Sequence, residues 1–475
     1  MRDYSFLKAR PSDSRRMQIV APHPSKNEFE RDRDRIIYCR NFRRLDKKTQ
    51  VFVSGFNDNV RTRLTHSIEV AQIAKRVARQ FGFDEDLTEA IALGHDTGHT
   101  PFGHVGERTL NFFMNGCISN SYYDEVFDND DCKGFKHNLQ AFKSLNELET
   151  HRKDEKGLNL TKYTLWGIIN HSNAAYKGPC QYYNCGNCLK NGTPCKSDGQ
   201  FSLDYYKKYT SLLTNKDWTF EGIIVAMSDE IAQLHHDFED GVCGGMITAS
   251  ELLTNVKKHF HSSLLNSIDK NDDELTILST FSSVIIDELI CKYINDLAER
   301  IDVVINEFGI TDEKSFLEKK GEIYDLICEN HKSICDYFNE LLENKSLKIL
   351  KMWISQMIIN SEITQTMNGK AEYIITKLFE AYLRNPQQLP DKTVFTINKK
   401  CMEANIIELQ PLKYPKFKQN NGVARENLNV IINANNIVFK TIIMRVICDY
   451  IAGMTDDYAI SQFNKLYGSN NLQYI

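Results

Sequence analysis

Between Ala92 and Glu107 the chain reads Ala-Leu-Gly-His-Asp-Thr-Gly-His-Thr-Pro-Phe-Gly-His-Val-Gly-Glu. These sixteen residues hold three histidines, an adjacent Asp and a Glu, a density of metal-ligating and proton-transferring groups that purely structural segments do not carry. Leu87, Ala90, Ile91, Gly94 and His95 recur at helical spacing, and Asp84 is placed to start that helix. His95 then falls on the buried face near the helix end. Thr97-Gly98, Pro101 and Gly103 force a tight loop, because glycine permits unusual dihedrals and proline stops the helix. An adjacent His-Asp pair offers one ion an imidazole, which suits transition metals, and a carboxylate, which suits Mn or Mg. Alone, such a pair is ordinarily a hydrogen-bonded pair of no consequence, so its meaning depends on partners elsewhere.

Composition narrows the class. A length of 475 residues allows two or three average domains. A net charge of −5 argues for neither nucleic acid nor an anionic membrane as a general partner. No apolar run approaches the roughly 20 residues of a membrane span, and Met1-Arg-Asp-Tyr-Ser lacks the apolar core of a signal peptide. Thirteen cysteines, an odd number scattered mostly singly, fit reduced thiols better than a disulfide framework. The expectation is a soluble, cytoplasmic protein.

Residues 1–27 carry prolines, serines and charges without periodicity and read as an extended arm. From Glu28 to Phe52 arginines alternate with apolar positions at helical spacing. The result is a basic helix ending near Lys48, either a solvated face or a surface of guanidinium forks for phosphate oxygens. A helix opening at Arg61 and running to about Gly82 puts His66, Val70, Ile73, Val77 and Phe81 on one stripe. A third, from Trp218 to about Asp240, has Phe220, Ile224, Met227, Ile231 and Leu234 as its core stripe. On its other side lie Asp229, Gln233, His236, Asp237 and Asp240, which is the pattern of a polar pocket wall or of an exposed polar face.

Cys180, Cys185, Cys188 and Cys195 stand in a C-x4-C-x2-C-x6-C pattern among glycines and prolines that allow four thiolates to converge. Zinc fits such a knuckle, and an iron–sulfur cluster uses similar spacing. Beyond Gly241 long amphipathic stripes (Ile286 to Phe308, Leu347 to Ile359) indicate an accessory helical layer. Asn385 to Asn427 reads as irregular structure or a small strand pair, and further helices run from Asn429 to about Leu466.

His66, His95-Asp96 and Asp229 together resemble the H…HD…D signature of the HD phosphohydrolases. Phe42-Arg-Arg-Leu-Asp-Lys-Lys-Thr-Gln-Val-Phe52, Arg61-Thr-Arg-Leu-Thr-His66, Phe102-Gly-His-Val-Gly-Glu107 and Arg445-Val-Ile-Cys-Asp-Tyr450 extend the likeness to the dGTPase family of dNTP triphosphohydrolases over nearly the whole chain. The resemblance implies an all-α fold. Its parts are an arm (1–27), an HD catalytic core (28–240) interrupted by a Cys-rich insertion (172–200), a helical accessory region (241–384), an irregular or strand-pair segment (385–428) and C-terminal helices completing the core (429–475). It implies hydrolysis of a deoxynucleoside triphosphate, dGTP among them, to deoxynucleoside and triphosphate, with water activated by a divalent ion (Mn or Mg) attacking the α-phosphorus. His66, His95, Asp96 and Asp229 become the metal ligands. His104 becomes the general acid/base with Glu107 as its partner, and His99 and His137 touch phosphates or water. Arg63 meets the α-phosphate, Gln50 and Asp237 contact the sugar 3′-hydroxyl, and Val51 crowds a ribose 2′-hydroxyl. Arg44 and Asn138 complete the substrate contacts. Relatives carry Tyr where Gln233 stands here, which leaves the sugar or base contacts open. Homo-oligomers built on dimers (tetramer or hexamer) and a nucleotide effector are further implications.

Two other readings remain at this level. One is a different HD-type phosphohydrolase, a phosphomonoesterase or phosphodiesterase. The other is a module that binds nucleotides or single-stranded nucleic acid without catalysis, whose affinity would depend on salt.

Overall fold

In the computed structural model the described residues are 3–50, 61–118, 124–128, 130–151, 155–172, 177–179, 200–258, 265–266, 268–269, 272–339, 345–412 and 421–468. The expected Val51 contact and the cysteine cluster Cys180, Cys185, Cys188 and Cys195 lie outside them. The fold is all-α, as expected. Among the described residues the sole sheet is a two-stranded antiparallel pair, β1 (Lys177–Pro179) and β2 (Gln200–Ser202), at the ends of the Cys-rich stretch. The chain forms two units, each built from several separate segments.

The first unit comprises residues 1–98, 138–174 and 209–367. Its centre is α1 (Glu28–Ile37), α3 (Arg63–Phe81), α4 (Glu85–Gly94), α7 (Lys162–Asn170) and α8 (Phe220–Cys243), with a short α2 (Arg40–Arg44) following α1. Local chemistry sets the boundaries. Asn27 and Glu30 form a capping box at the start of α1, and Thr62, Asp84 and Thr219 cap α3, α4 and α8 through side-chain oxygens. Gly82, in the left-handed region at φ 71°, ends α3. The stripes anticipated on α3 and α8 are buried.

Three details differ from expectation. The basic helix is two helices, broken where the Cys39 thiol accepts from the Phe42 amide. Its arginines mostly sit in ion pairs: Arg31 with Glu28, Arg33 with Asp86, and Arg35 with Glu155. The N-terminal arm is docked, with Tyr4 against Phe81 and Arg16 paired to Glu28 and Asp32. At the crossing of α4 with α7 and α1, a Cβ on Gly94 would lie 2.6 Å from Ile168 Cδ1, so a larger residue there, one before His95, would have to displace the Ile168 side chain. A long helix Glu274–Phe308 and a helix Lys345–Ile359 flank α8.

The second unit comprises 99–137, 175–208 and 368–475. Here α5 (Gly103–Met114) packs by its Phe113 ring on Phe379, with centroids 4.2 Å apart. The Arg445 guanidinium lies 3.6 Å over the Tyr205 ring and donates to the Gly134 carbonyl at 2.9 Å. Most of the described residues of the segment expected to be irregular are helical: Asp391–Ala404 and the beginning of Asn421–Asn433. Pro386 and Pro390 stand at helix starts, where the missing amide costs nothing, instead of interrupting the helices.

Candidate active site

In the first unit, four side chains from three helices converge. His66 comes from the first turn of α3, His95 from the end of α4, Asp96 from the residue beyond it, and Asp229 from the middle of α8. His66 Nε2 lies 2.9 Å from Asp229 Oδ1 and 3.9 Å from Asp96 Oδ2. His95 Nε2 lies 3.4 Å from Asp96 Oδ1 and 3.7 Å from Asp229 Oδ1. The His95 ring is wholly buried and its Nε2 makes no hydrogen bond among the described residues. Its Nδ1 faces the Ala92 carbonyl at 2.6 Å, which places the proton there and leaves the Nε2 lone pair facing the cluster. Two imidazoles and two carboxylates at these separations fit one divalent cation.

Arg63, one turn before His66, is 2 % exposed. Its Nη1 donates to Asp96 Oδ2 at 2.8 Å, while Nε and Nη2 have no partner among the described residues. A buried guanidinium with two unsatisfied donors is costly unless an anion completes it. Gln50 lies close by in the chain's folding: Lys48 O accepts from Arg63 N at 3.2 Å, and Thr49 bridges to Thr62. The Gln50 Oε1 atom is buried without a donor among the described residues. On α8, burial and the charge of neighbouring Asp240 push the Asp237 carboxyl up to about 7.

Two expected substrate contacts are otherwise engaged. Asn138 Nδ2 donates to the carbonyls of Ile169 and Ser172 at 2.6 and 2.8 Å, and its Oδ1 accepts from Leu139 N, so it anchors the end of α7. Arg44 donates to Asn41 Oδ1 at 3.2 Å on its own helix. Three further residues drew no role from sequence: Glu69, His236 and His171. His236 Nδ1 faces His66 Nδ1 at 3.2 Å, and its Nε2 is hydrogen-bonded to Glu69. The His171 ring stands edge-on to His95 with centroids 4.9 Å apart. Glu69, three residues after His66, and His236, seven after Asp229, share helix faces with those ligands, a signal present in the sequence.

In the second unit His99, His104, Glu107 and His137 form one group. Glu107 Oε2 is 2.6 Å from His137 Nδ1 and 3.6 Å from His104 Nδ1, and Oε1 is 3.0 Å from Lys136 Nζ. Glu107 therefore contacts His104, as helical spacing expected, but its shorter contact is with His137. Burial opposes the Glu107 anion, and His137, His104 and Lys136 outweigh it, keeping the carboxyl well below its usual range. His99 stacks on His137 with centroids 3.8 Å apart, while the His104 side chain is 65 % exposed, open to a ligand. The loop before α5 is held by Phe102, whose backbone is left-handed (φ 61°) and whose amide donates to the buried Asp456 carboxylate at 2.9 Å.

The HD domain family matches residues 63–161, and the phosphohydrolase-associated domain family matches 342–406 and 439–465. A deoxyguanosinetriphosphate triphosphohydrolase-like protein of Geobacter metallireducens is 33 % identical over 467 residues, 98 % of this chain and 95 % of the relative. Proteins of the same description from Geobacter sulfurreducens and Rickettsia bellii are 32 % and 30 % identical, covering 98 % and 96 % of this chain and 95 % of each relative. Among the described residues no helix is long and apolar enough to cross a membrane.

Proposed function

The chain belongs to the deoxyguanosinetriphosphate triphosphohydrolase-like family, and from that premise we propose that it hydrolyses a deoxynucleoside triphosphate, dGTP among its substrates, to the deoxynucleoside and inorganic triphosphate. Membership supports a metal-dependent nucleotide phosphohydrolase. The observation that carries the finer reading is Arg63, a buried guanidinium with two donors unmatched, one turn from His66 and bonded to Asp96.

His66, His95, Asp96 and Asp229 would hold a divalent ion, Mn or Mg, which would supply Lewis-acid polarisation of the phosphoryl group and neutralise its charge. Arg63 binds the α-phosphate with Nε and Nη2, where charge grows as water adds to phosphorus. Gln50 Oε1 and the Asp237 carboxyl receive the sugar 3′-hydroxyl, and Val51 opposes a 2′-hydroxyl. His104 delivers a proton to the departing 5′ oxygen, with Glu107 as its partner. His137 and His99 position water or phosphate oxygens. The spacing of Cys180, Cys185, Cys188 and Cys195, which lie outside the described residues, supports a structural zinc site, with an iron–sulfur cluster as the alternative. The active species is a homo-oligomer.

The reaction is tested by incubating the purified protein with Mn or Mg and each dNTP and NTP in turn, then resolving the phosphorus products. Intact triphosphate from deoxynucleotides supports the reading. Orthophosphate, pyrophosphate or a nucleoside monophosphate overturns it.

A further inference from the structure

Beside the four-residue cluster, α3 and α8 share a second line of polar groups of which the proposed reaction uses only His66. It runs from His66 through His236 to Glu69 and Arg61. His66 Nδ1 and His236 Nδ1 are 3.2 Å apart, and the two rings stand edge to face with centroids at 5.1 Å. His236 Nε2 is hydrogen-bonded to Glu69 Oε2, and Glu69 Oε1 accepts from Arg61 Nε at 3.2 Å. Arg61 is also paired to Glu239, which sits on His235 at 3.1 Å and on Ser282 at 2.6 Å. His66 and His236 are 1 % and 0 % exposed, so water does not compete for these nitrogens.

Two ring nitrogens that face each other share one proton, and the chain of partners decides which ring owns it. A carboxylate accepts only, so the proton on His236 resides on Nε2, leaving its Nδ1 as an acceptor. His66 must then donate from Nδ1. Its Nε2, the nitrogen 2.9 Å from Asp229 Oδ1, keeps a lone pair for a cation. Metal-ligating histidines ordinarily donate their second N–H to a carboxylate or a carbonyl. Here a second histidine stands between ligand and carboxylate and carries the carboxylate's preference across one more ring.

We propose that His236 and Glu69 are positioning residues that fix the Nδ1-protonated form and the orientation of His66 and thereby set the affinity of the cluster for a divalent ion. The inference rests on the reading of His66, His95, Asp96 and Asp229 as a metal site, and goes beyond it by assigning two residues outside that set. Arg61 keeps Glu69 ionised and aimed at His236: burial opposes the anion, but the hydrogen bond from His236 and the charge and hydrogen bond of Arg61 hold the Glu69 carboxyl below its usual range.

The test is Mn2+ titration of the full-length protein, read by the electron paramagnetic resonance of free and bound ion. Wild type is compared with His236→Leu, His236→Gln and Glu69→Ala, and thermal unfolding of each metal-free protein serves as the folding control. The expected result is Mn2+ binding weakened by about 10–100-fold in His236→Leu, at an unfolding temperature near that of wild type. Most of the affinity returns in His236→Gln, whose amide oxygen can accept from His66 Nδ1, and Glu69→Ala lies between. Equal affinities for wild type and all three variants overturn the inference while leaving the metal site intact, as does a His236→Gln protein no better than His236→Leu. If His236→Leu does not fold, Glu69→Ala decides, since its side chain is 38 % exposed and an unaltered affinity there is equally fatal. A wild-type protein that binds no Mn2+ overturns the metal reading itself, and this inference with it.

Discussion

Arg63 and Asp96 form a buried ion pair, Nη1 to Oδ2 at 2.8 Å, and the other two guanidinium nitrogens of Arg63 have no partner among the described residues. Asp96 thus serves the cation cluster and at the same time fixes the guanidinium that an anion would meet. Charge on both sides of the ligand is arranged by two neighbouring groups, one from α3 and one from the end of α4.

Replacing Arg63 by Ala removes two charge-assisted donors, each contributing about 1.5–3 kcal/mol. The expected outcome is a fall in kcat/KM of about a hundredfold or more with bound metal unchanged. Steady-state kinetics together with metal analysis checks both parts.

Asp96→Ala and His66→Ala each leave the cluster with three ligands. The expected outcome is loss of stoichiometric Mn or Mg binding and of turnover. Metal content after gel filtration, measured beside activity, checks this; an active, metal-free variant contradicts it.

His104→Ala is expected to lower turnover by about a hundredfold, the scale of general acid/base assistance, with metal and dNTP binding retained. Glu107→Gln should fall at least as far, because Glu107 also contacts His137 and Lys136. Single-turnover rates at saturating substrate separate these effects from binding.

Gly106 lies against the loop that carries His99. A Cβ there would stand 2.2 Å from the Pro101 carbonyl oxygen and 2.6 Å from Thr100 Oγ1. Gly106→Ala must therefore move the loop between His99 and His104, and the expected outcome is reduced kcat in a folded protein, read by kinetics beside circular dichroism.

Glu221 offers a pH test independent of catalysis. Burial, with Asp84 nearby, pushes its carboxyl up from 4.5 to about 7, although it accepts from the Ala9 and Asp84 amides. Because the folded state favours the protonated form, the stability it contributes is complete below pH about 4.5 and is lost as pH rises through about 7. Glu221→Gln is expected to stabilise the protein at pH 8.5, by about 3 kcal/mol at most, and to change little at pH 4. Denaturant unfolding at the two pH values measures the difference.

Much of this was legible in the chain. The His66 and Asp229 stripes follow from helical spacing, and His95-Asp96 from adjacency, since each is a local pattern whose helix fixes its direction. The His236–Glu69 bond and the Glu107–His137 contact were not, because each joins segments far apart in sequence that only packing brings together. The helices after Pro386 and Pro390 were misread for a different reason. Proline breaks a helix interior and favours a helix start, and composition alone does not say which position it holds.

The central claim is attack of water at the α-phosphorus of a deoxynucleoside triphosphate, and hydrolysis in 18O-labelled water tests it most directly. The expected result is one labelled oxygen in the released triphosphate and none in the deoxynucleoside, seen by 31P resonance shift and mass spectrometry. Label in the deoxynucleoside, or release of orthophosphate or pyrophosphate in place of triphosphate, contradicts the account.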